Sequence, residues 1–260
     1  MEEVLKSVDI QKVNAIAVDA GKAIMDIYNN ENLDWNVEKK ADNSPLTIAD
    51  HASNKVICDA LQAAFPDIPI LSEENKTQSY EERKDWDWFW LVDPLDGTKE
   101  FIKKNGEFTV NIALVHGNRS VLGVLYVPAT DELFYAKRGE GAFKVKGDEN
   151  VKLVTSKYEK GQKGVKIVCS RSHMSKETEM FVAQFNEPEL LSKGSSLKFM
   201  LVAEGLAHVY PRIAPTMEWD TGASQIIVEE AGGRVVQYQT DEPLLYNKED
   251  LLNPFFEVYP

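Results

Sequence analysis

The segment Trp90–Thr98, which reads WLVDPLDGT, places two aspartates directly after an apolar stretch. Pro94 fixes one backbone angle between them and Gly97 permits a tight turn, so we expect Asp93 and Asp96 to lie close together at the end of a strand. Like charges held that close repel each other unless a cation lies between them. Oxygen ligands on a rigid turn suit Mg²⁺, and the motif therefore predicts a magnesium site.

A second acidic pair strengthens this prediction. Glu73 and Glu74 also follow a short apolar segment, residues 68–71, which has the character of a strand. If both strands belong to one sheet, their acidic ends can meet at one edge. An aspartate-rich turn that faces solvent is the alternative for an isolated Asp-x-x-Asp motif, and the second pair makes it less favoured. Thr98 is expected to begin a short helix, whose N-terminus favours a phosphate group.

The bulk composition is that of a folded, acidic protein. Of its 260 residues, 43% are apolar and 27% are charged, and the formal net charge is −13. Such a chain is a poor candidate for binding nucleic acid through its general surface. No apolar run approaches the roughly 18 residues of a membrane span, and the acidic N-terminus does not resemble a secretory signal; we expect a cytoplasmic protein. Cys58 and Cys169 lie far apart in apolar stretches and are expected to be buried free thiols.

Hydrophobic spacing divides the chain into two parts. In the first part it predicts one long helix over residues 4–28 and a second helix from about Asp50 to Pro66, which Thr47 or Asp50 could cap. The charged segment 76–87 is expected to be an exposed loop. Short strands are predicted at residues 68–71 and 89–92, consecutive antiparallel strands at residues 107–116, 120–127 and 132–136, and a further strand after Gly139 and Gly141.

After about residue 155 strands and helices alternate, which indicates an α/β unit. Strands are predicted at residues 165–169, 207–210 and 234–236, and helices at residues 175–185, 196–204 and 220–231. We therefore predict two parts, residues 1–155 and 156–260. Because no flexible linker separates them, we expect the two parts to pack tightly.

Three motifs together resemble the signatures of the inositol-monophosphatase-like superfamily. They are residues 93–98 (DPLDGT), residues 218–223 (EWDTGA) completed by 229–233 (EEAGG), and residues 72–74 (SEE), which stand where the family has its metal-binding glutamate. The resemblance runs from the first helix to about residue 240. It implies a fold of the α+β or α/β class, the layered αβαβα sandwich of that family, with an antiparallel N-terminal sheet and a smaller C-terminal α/β half.

Further stretches are similar to the CysQ branch of this superfamily, the 3′(2′),5′-bisphosphate nucleotidases. They are residues 40–50 (KADNSPLTIAD), 170–173 (SRSH) and 194–199 (GSSLKF), the last followed by 203–205 (AEG) and 210–212 (YPR). The similarity implies a lithium-sensitive, magnesium-dependent phosphomonoesterase that converts adenosine 3′,5′-bisphosphate to AMP and phosphate. It leaves open whether 3′-phosphoadenosine 5′-phosphosulfate is also hydrolysed.

The resemblance also implies a role for individual residues. Two or three Mg²⁺ ions would be held by Glu73, Asp93, the backbone carbonyl of Leu95, Asp96 and Asp220. Glu73 and Thr98 would orient the attacking water, and Asp50 would accept its proton through Thr98, so that no Cys, Ser or His nucleophile is required. The substrate would be contacted by Gly97, Thr98, His173, Ser195, Lys198, Arg212 and Asp220.

Several of these residues also have a plainer interpretation. Asp50 and Asp220 could serve only as helix caps, because each stands near the start of a predicted helix. Ser195 and Ser196 could cap the next helix, and this role is compatible with binding a phosphate. The remaining candidates, His173, Lys198 and Arg212, could be ordinary surface residues.

Two other functions stay open at this point. One is an inositol or sugar monophosphatase, or an inositol polyphosphate 1-phosphatase, which would use the same metal chemistry. The other is a non-catalytic metal-binding regulator, against which the complete set of acidic residues argues. We expect a monomer or a homodimer. Peripheral association with the inner membrane is known among CysQ-like proteins, but nothing in this chain predicts an anchor.

Overall fold

Eight helices and fourteen strands form the part of the chain that the computed structural model describes, namely residues 2–30, 32–35, 37–39, 45–76, 78–169 and 174–260. The helices are α1 (Glu2–Ser7), α2 (Ile10–Tyr28), α3 (Ile48–Ala64), α4 (Tyr80–Arg83), α5 (Thr98–Ile102), α6 (Lys176–Val182), α7 (Leu197–Ala203) and α8 (Glu218–Glu230). The strands are β1 (Glu38–Lys39), β2 (Pro45–Leu46), β3 (Ile70–Ser72), β4 (Trp88–Asp96), β5 (Thr109–His116), β6 (Arg119–Val127), β7 (Glu132–Lys137), β8 (Gly141–Lys146), β9 (Glu149–Lys152), β10 (Lys166–Cys169), β11 (Glu189–Ser192), β12 (Tyr210–Arg212), β13 (Arg234–Gln237) and β14 (Phe256–Tyr259).

A seven-stranded sheet with the order β3-β4-β5-β6-β7-β8-β9 forms the centre of the molecule. Every neighbouring pair in it is antiparallel except β3 and β4, which run parallel. The predicted antiparallel sheet is therefore confirmed with one exception. The parallel pair has a consequence for the site, because it brings the carboxyl ends of β3 and β4 to the same edge.

The two faces of the large sheet pack against different helices. Side chains alternate along a strand, so Trp90 and Val92 of β4 join the core under α2 and α3. Phe89 and Leu91 instead contact the core that contains Trp219 of α8. Asp93 continues this second series, and the alternation of β4 therefore directs it towards the α8 side of the sheet.

Of the remaining strands, β1 and β2 form a two-stranded antiparallel sheet, and the other five form two smaller sheets on the far side of α7 and α8. The strands β10 and β11 pair in parallel, and β12, β14 and β13 form an antiparallel sheet with β14 in the middle. The last strand was not predicted, although it supplies Phe256 and Val258 to the core around α7 and α8. The layers of helix, sheet, helix, sheet and helix agree with the predicted sandwich.

The prediction of one long helix over residues 4–28 is wrong. The structure has two helices there, α1 and α2, because the Asp9 side chain accepts a hydrogen bond from the Gln11 backbone and caps a new helix. The apolar spacing continues through the break, since Val8 is buried in the same core as Leu5 of α1 and Val13 of α2. Hydrophobic periodicity alone therefore could not reveal it.

Two other assignments also need correction. Residues 76–87 were predicted to be an exposed loop, but they contain α4, whose Arg83 is buried and donates hydrogen bonds to Asn247 and to the carbonyl of Glu249. The strand predicted at residues 207–210 lies later, at Tyr210–Arg212, where it pairs with β14. In both cases hydrogen bonds to the C-terminal segment, which is distant in sequence, determine the structure.

The large sheet ends with β9 at Lys152, close to the predicted division at residue 155, which itself stays a prediction. Helix α8 comes from the second part of the chain yet packs on the large sheet of the first part. Both cysteines are free thiols, as predicted, but Cys58 is only partly buried whereas Cys169 is buried. None of the helices in the described ranges is long and apolar enough to cross a membrane.

We predict that Gly123→Ala destabilises the protein, because α8 lies directly on β6 at this glycine. A Cβ atom at position 123 would lie 2.4 Å from the carbonyl oxygen of Ala223 and 2.5 Å from Cγ2 of Ile226. Overpacking of this kind lowers the free energy of unfolding by about 1–3 kcal/mol. Urea unfolding measures the change.

Ser120→Ala is the matched control on the same strand. It removes a buried hydroxyl group that has no hydrogen-bond partner among the described residues. We expect its free energy of unfolding to change by less than about 0.5 kcal/mol. If Gly123→Ala is as stable as this control, α8 does not lie against β6 at this glycine.

Candidate active site

The end of β4 forms the turn that carries two of the predicted metal ligands. Its pairing with β5 is irregular between Asp93 and Asp96. Asp93 is buried, and its Oδ1 accepts a hydrogen bond from the backbone nitrogen of Leu95 at 3.1 Å. Gly97 has a φ of 93°, a left-handed conformation that glycine adopts readily, and the chain then enters α5 at Thr98.

Carboxylates from distant segments of the chain meet beside this turn. Oxygens of Asp93, Asp96 and Asp220 lie within 4.8 Å of one another. Glu73, which follows β3, lines the same cleft, and its backbone nitrogen donates to the carbonyl of Val92 at 3.1 Å. Burial, and then the negative charges of Glu73, Asp96 and Asp220, raise the pKa of Asp93 well above its ordinary value. The four predicted acidic ligands therefore lie in one electrostatically strained cluster.

Asp220 reaches the cluster from the first turn of α8. Its Oδ2 accepts a hydrogen bond from the backbone nitrogen of Met217 at 2.8 Å, so the side chain also caps the helix. Burial, and then the charges of Asp96 and Glu73, raise the pKa of Asp220 to about 8. The helix-cap interpretation is therefore correct, but it does not exclude a role at the cluster.

Asp50 joins the site from the start of α3. Its Oδ2 accepts hydrogen bonds from the backbone nitrogen and the Oγ1 of Thr47, both at 2.7 Å, which makes a capping arrangement. Its Oδ1 accepts a hydrogen bond from Thr98 Oγ1 at 3.1 Å. Thr98 Oγ1 also lies 3.4 Å from the carbonyl oxygen of Leu95, the predicted backbone ligand. The structure therefore brings Asp50 and Thr98 into direct contact.

Two serines at the start of α7 hold the carboxylate of Asp96. Its Oδ2 accepts hydrogen bonds from Ser195 Oγ, from the backbone nitrogen of Ser196 and from Ser196 Oγ, each at 2.6 Å. Ser196 is the N-cap residue of α7. Ser195 has a φ of 51°, which is uncommon for a residue other than glycine. This turn thus links the second part of the chain to the acidic turn of the first.

A cleft of about 770 Å³ opens beside the carboxylates, and such a volume can hold a nucleotide. Lys198 and Arg212 both line it. Lys198 Nζ donates to the carbonyl of Ser195 at 2.8 Å, and burial lowers the pKa of this lysine to about 8. Arg212 Nε donates to Thr216 Oγ1 at 2.6 Å, and its Nη2 donates to the carbonyl of Pro215 at 3.0 Å. Both cations are therefore held in place and are not freely moving surface groups.

One predicted contact cannot be placed. His173 lies outside the described residues, together with residues 170–172 and residues 40–44, so its contact with the substrate stays a prediction. The other predicted contacts line the cleft; they are Gly97, Thr98, Ser195, Lys198, Arg212 and Asp220.

Sequence reasoning missed two polar residues beside the acidic turn, Thr109 and Asn111 of β5. Both are buried. Thr109 Oγ1 lies 2.9 Å from Ser195 Oγ, and Asn111 Nδ2 donates to Ser196 Oγ at 3.2 Å. The sequence does contain a signal, because these two polar residues alternate with apolar ones at the start of a strand that is otherwise apolar and buried.

Comparison with known proteins agrees with this geometry. The family model described as the inositol monophosphatase family matches residues 4–254. The chain belongs to the inositol monophosphatase family. The family depends on metal ions, and the acidic cluster is consistent with that dependence.

Within this family the chain is similar to the proteins named 3′(2′),5′-bisphosphate nucleotidase CysQ. It is 44% identical to CysQ of Escherichia coli over 250 residues, which is 96% of this chain and 98% of that protein. It is 36% identical to CysQ of Haemophilus influenzae over 249 residues, which is 95% of this chain and 91% of that protein. The crystal structure of CysQ from Bacteroides thetaiotaomicron matches with a TM-score of 0.85 at 45% identity, covering 97% of this chain and 98% of that one.

We predict that the metal-free protein loses stability as the pH rises. The pKa of Asp220 is about 8 in the folded protein and about 3.9 in an unfolded chain. Between these values the folded state holds a proton that the unfolded state has lost, so the free energy of unfolding falls as the pH rises. Asp220→Asn keeps an acceptor for Met217, and we expect it to raise the free energy of unfolding by about 2 kcal/mol at the alkaline end of this window.

Urea unfolding in EDTA, at about pH 4 and about pH 8.5, checks this prediction. We expect the variant and the wild type to differ little at the lower pH, where the wild-type carboxyl is protonated. Added Mg²⁺ should stabilise the wild type more than the variant, because a ligand stabilises the folded state that binds it. An identical pH dependence for the two proteins would contradict the raised pKa.

Proposed function

We propose that this protein is a 3′(2′),5′-bisphosphate nucleotidase that hydrolyses adenosine 3′,5′-bisphosphate to AMP and phosphate. The observation that carries the proposal is a cluster of four carboxylates that shares its cleft with Lys198 and Arg212 in a chain 44% identical to CysQ. 3′-Phosphoadenosine 5′-phosphosulfate, which carries the same 3′-phosphate, is proposed as a second substrate. We also propose a cytoplasmic location and a monomeric or homodimeric state.

Mg²⁺ is the proposed metal, with two or three ions in the site. The donors are all oxygens, which suits Mg²⁺. Burial and the neighbouring carboxylates raise the pKa values of Asp93 and Asp220, and the positive charge of such ions would oppose this effect. Bound Mg²⁺ would neutralise the phosphate oxygens and acidify a water molecule. The groups that would hold the ions are Glu73, Asp93, the carbonyl of Leu95, Asp96 and Asp220.

The chain's own residues would orient the attacking water and accept its proton. Thr98 Oγ1 donates to Asp50 Oδ1, so the threonine oxygen can take a proton from water while its own proton moves to Asp50. Thr47 holds the other carboxylate oxygen of Asp50, which fixes the direction of the acceptor. Glu73 would orient the same water from the neighbouring strand end. This path is a direct displacement at phosphorus and forms no covalent intermediate with a side chain.

The positively charged side chains that line the cleft would recognise the nucleotide. A protein with a net charge of −13 needs local positive charge to bind a substrate with two phosphates. Lys198 and Arg212 would provide that charge, and a guanidinium can contact a phosphate through two hydrogen bonds. Other residues of the same cleft would also contact the substrate, namely Gly97, Thr98, Ser195 and Asp220, and His173 is proposed to contribute as well.

We predict that the purified protein releases phosphate from adenosine 3′,5′-bisphosphate in the presence of Mg²⁺ and that added Li⁺ suppresses the reaction. We expect kcat/KM for this substrate to exceed that for inositol 1-phosphate by at least about 100-fold, because two charge-assisted contacts would be lost with the smaller substrate. Asp96→Asn should lower kcat by at least about 100-fold. Preference for inositol 1-phosphate would keep the metal site but reject the assignment of Lys198 and Arg212.

We also predict that Lys198→Met weakens nucleotide binding selectively. Loss of one charge-assisted contact should raise the KM for adenosine 3′,5′-bisphosphate by about 10-fold or more. The kcat/KM for p-nitrophenyl phosphate, which has no second phosphate, should change by less than about 3-fold. Steady-state kinetics with both substrates measure the difference.

Lys163→Met is the matched control, because Lys163 is exposed and pairs with Glu187 on another part of the surface. It should leave both substrates unaffected. Equal losses for the two substrates in Lys198→Met would show that Lys198 supports the reacting phosphate or the fold and does not recognise the nucleotide.

A further inference from the structure

Thr109 and Asn111 are two buried polar residues that the proposed mechanism does not use. They lie two positions apart on β5, so their side chains share one face of the sheet. Across the sheet they pair with Asp96 and Asp93, respectively. β5 therefore presents two polar groups directly beside the acidic turn of β4.

Each of these side chains contacts one serine of the turn that precedes α7. Thr109 Oγ1 lies 2.9 Å from Ser195 Oγ, and Asn111 Nδ2 donates to Ser196 Oγ at 3.2 Å. Each serine hydroxyl in turn lies 2.6 Å from Asp96 Oδ2. Two parallel chains of hydrogen bonds thus begin on β5 and end on the same carboxylate oxygen.

The chemistry of the groups restricts the direction of these hydrogen bonds. An ionised carboxylate only accepts hydrogen bonds, so the proton of Ser195 is directed to Asp96. A hydrogen bond between Thr109 and Ser195 then has Thr109 as its donor, since the serine has no second proton, and Asn111 Oδ1, 3.1 Å from Thr109 Oγ1, is a second acceptor for the same threonine proton. The amide of Asn111 likewise donates to Ser196, and the Ser196 hydroxyl has two acceptors, Asp96 Oδ2 at 2.6 Å and the carbonyl oxygen of Asp220 at 2.9 Å.

The two carboxylate oxygens of Asp96 differ in their hydrogen bonds. Oδ2 accepts three short hydrogen bonds, and Oδ1 accepts none from the residues that the structure describes. Oδ1 is therefore the oxygen available to a cation that Asp93 and Asp220 share. Because Ser195 also lines the substrate cleft, the same turn connects the proposed metal site with the proposed substrate site.

We propose that Thr109 and Asn111 are positioning residues, which fix the turn of Ser195 and Ser196 so that Asp96 presents Oδ1 to the metal ions. They touch neither the metal ions nor the substrate and act only through the two serines. The inference rests on the proposed function in one respect, namely that the carboxylate cluster binds divalent cations.

Thr109→Val tests the proposal, because it replaces the hydroxyl group by a methyl group of the same size. We expect the affinity of the substrate-free protein for Mn²⁺, measured by calorimetric titration, to fall by about 10-fold, as is typical when a group behind a metal ligand is lost. Thr109→Ser restores the hydroxyl group and should restore the affinity. The thermal midpoint of each metal-free variant reports whether its fold is intact.

A double-mutant cycle tests whether Thr109 affects metal binding through Ser195. If Thr109 acts through Ser195, Thr109→Val should change the Mn²⁺ affinity by less than about 2-fold in a Ser195→Ala background. Ser120→Ala, on the neighbouring strand, is the control for loss of a buried hydroxyl group and should bind Mn²⁺ as the wild type does. Wild-type affinity in Thr109→Val, or an equal loss in both backgrounds, would overturn the proposal.

The experiment separates this proposal from the proposed function. Mn²⁺ affinity is measured without substrate, so it does not depend on which phosphate ester the protein hydrolyses. If wild-type protein binds Mn²⁺ but does not hydrolyse adenosine 3′,5′-bisphosphate, only the proposed substrate is rejected. If Thr109→Val folds and binds Mn²⁺ normally while the wild type hydrolyses the nucleotide, only the positioning role is rejected.

Discussion

Repulsion among four carboxylates is the constraint on which the rest of this structure depends. Asp93, Asp96, Asp220 and Glu73 come from three separate segments and line one cleft, where burial disfavours the charged forms of Asp93 and Asp220. Such a cluster needs a rigid frame, because the carboxylates would otherwise turn away from one another. Backbone nitrogens and hydroxyl groups supply that frame; the donors are Leu95 to Asp93, Ser195 and Ser196 to Asp96, and Met217 to Asp220.

Several of these residues have a structural and a chemical role at once. Asp50 completes the capping arrangement at the start of α3 with one oxygen and accepts a hydrogen bond from Thr98 with the other. Asp220 caps α8 while it faces the cluster. Placing an acidic residue in the first turn of a helix is favourable in itself. For Asp220, the energetic cost of joining the cluster is thereby partly offset by the helix that carries it.

Much of the cluster could be predicted from local sequence, because local chemistry determines it. An apolar strand that runs into Asp93 and Asp96, with Pro94 and Gly97 in the turn, specifies a bend whatever lies around it. Asp220 was different, because only a tertiary contact between α8 and the large sheet brings it to that bend. Its assignment depended on the resemblance to a known family and could not have come from spacing alone.

The wrong and missed predictions have two physical causes, a local cap at Asp9 and contacts between distant segments. Asp9 ends one helix and begins another without interrupting the apolar spacing, so periodicity could not detect it. Arg83 is buried because the distant residue Asn247 and the carbonyl of Glu249 accept its hydrogen bonds. The roles of Thr109 and Asn111 likewise depend on a turn far along the chain. Local patterns predicted elements and turns well, whereas contacts between distant segments required the structure.

The most direct test of the central claim is an anomalous-scattering map from crystals of the protein soaked in Mn²⁺. We expect at least two peaks between the carboxylates of Asp93, Asp96 and Asp220, with oxygen distances of about 2.0–2.3 Å. We also expect Oδ1 of Asp96, and not Oδ2, to face a peak. A folded protein without a peak at this cluster would contradict a metal site built on these carboxylates, and an ion coordinated through Oδ2 of Asp96 would contradict the orientation that the two serines impose.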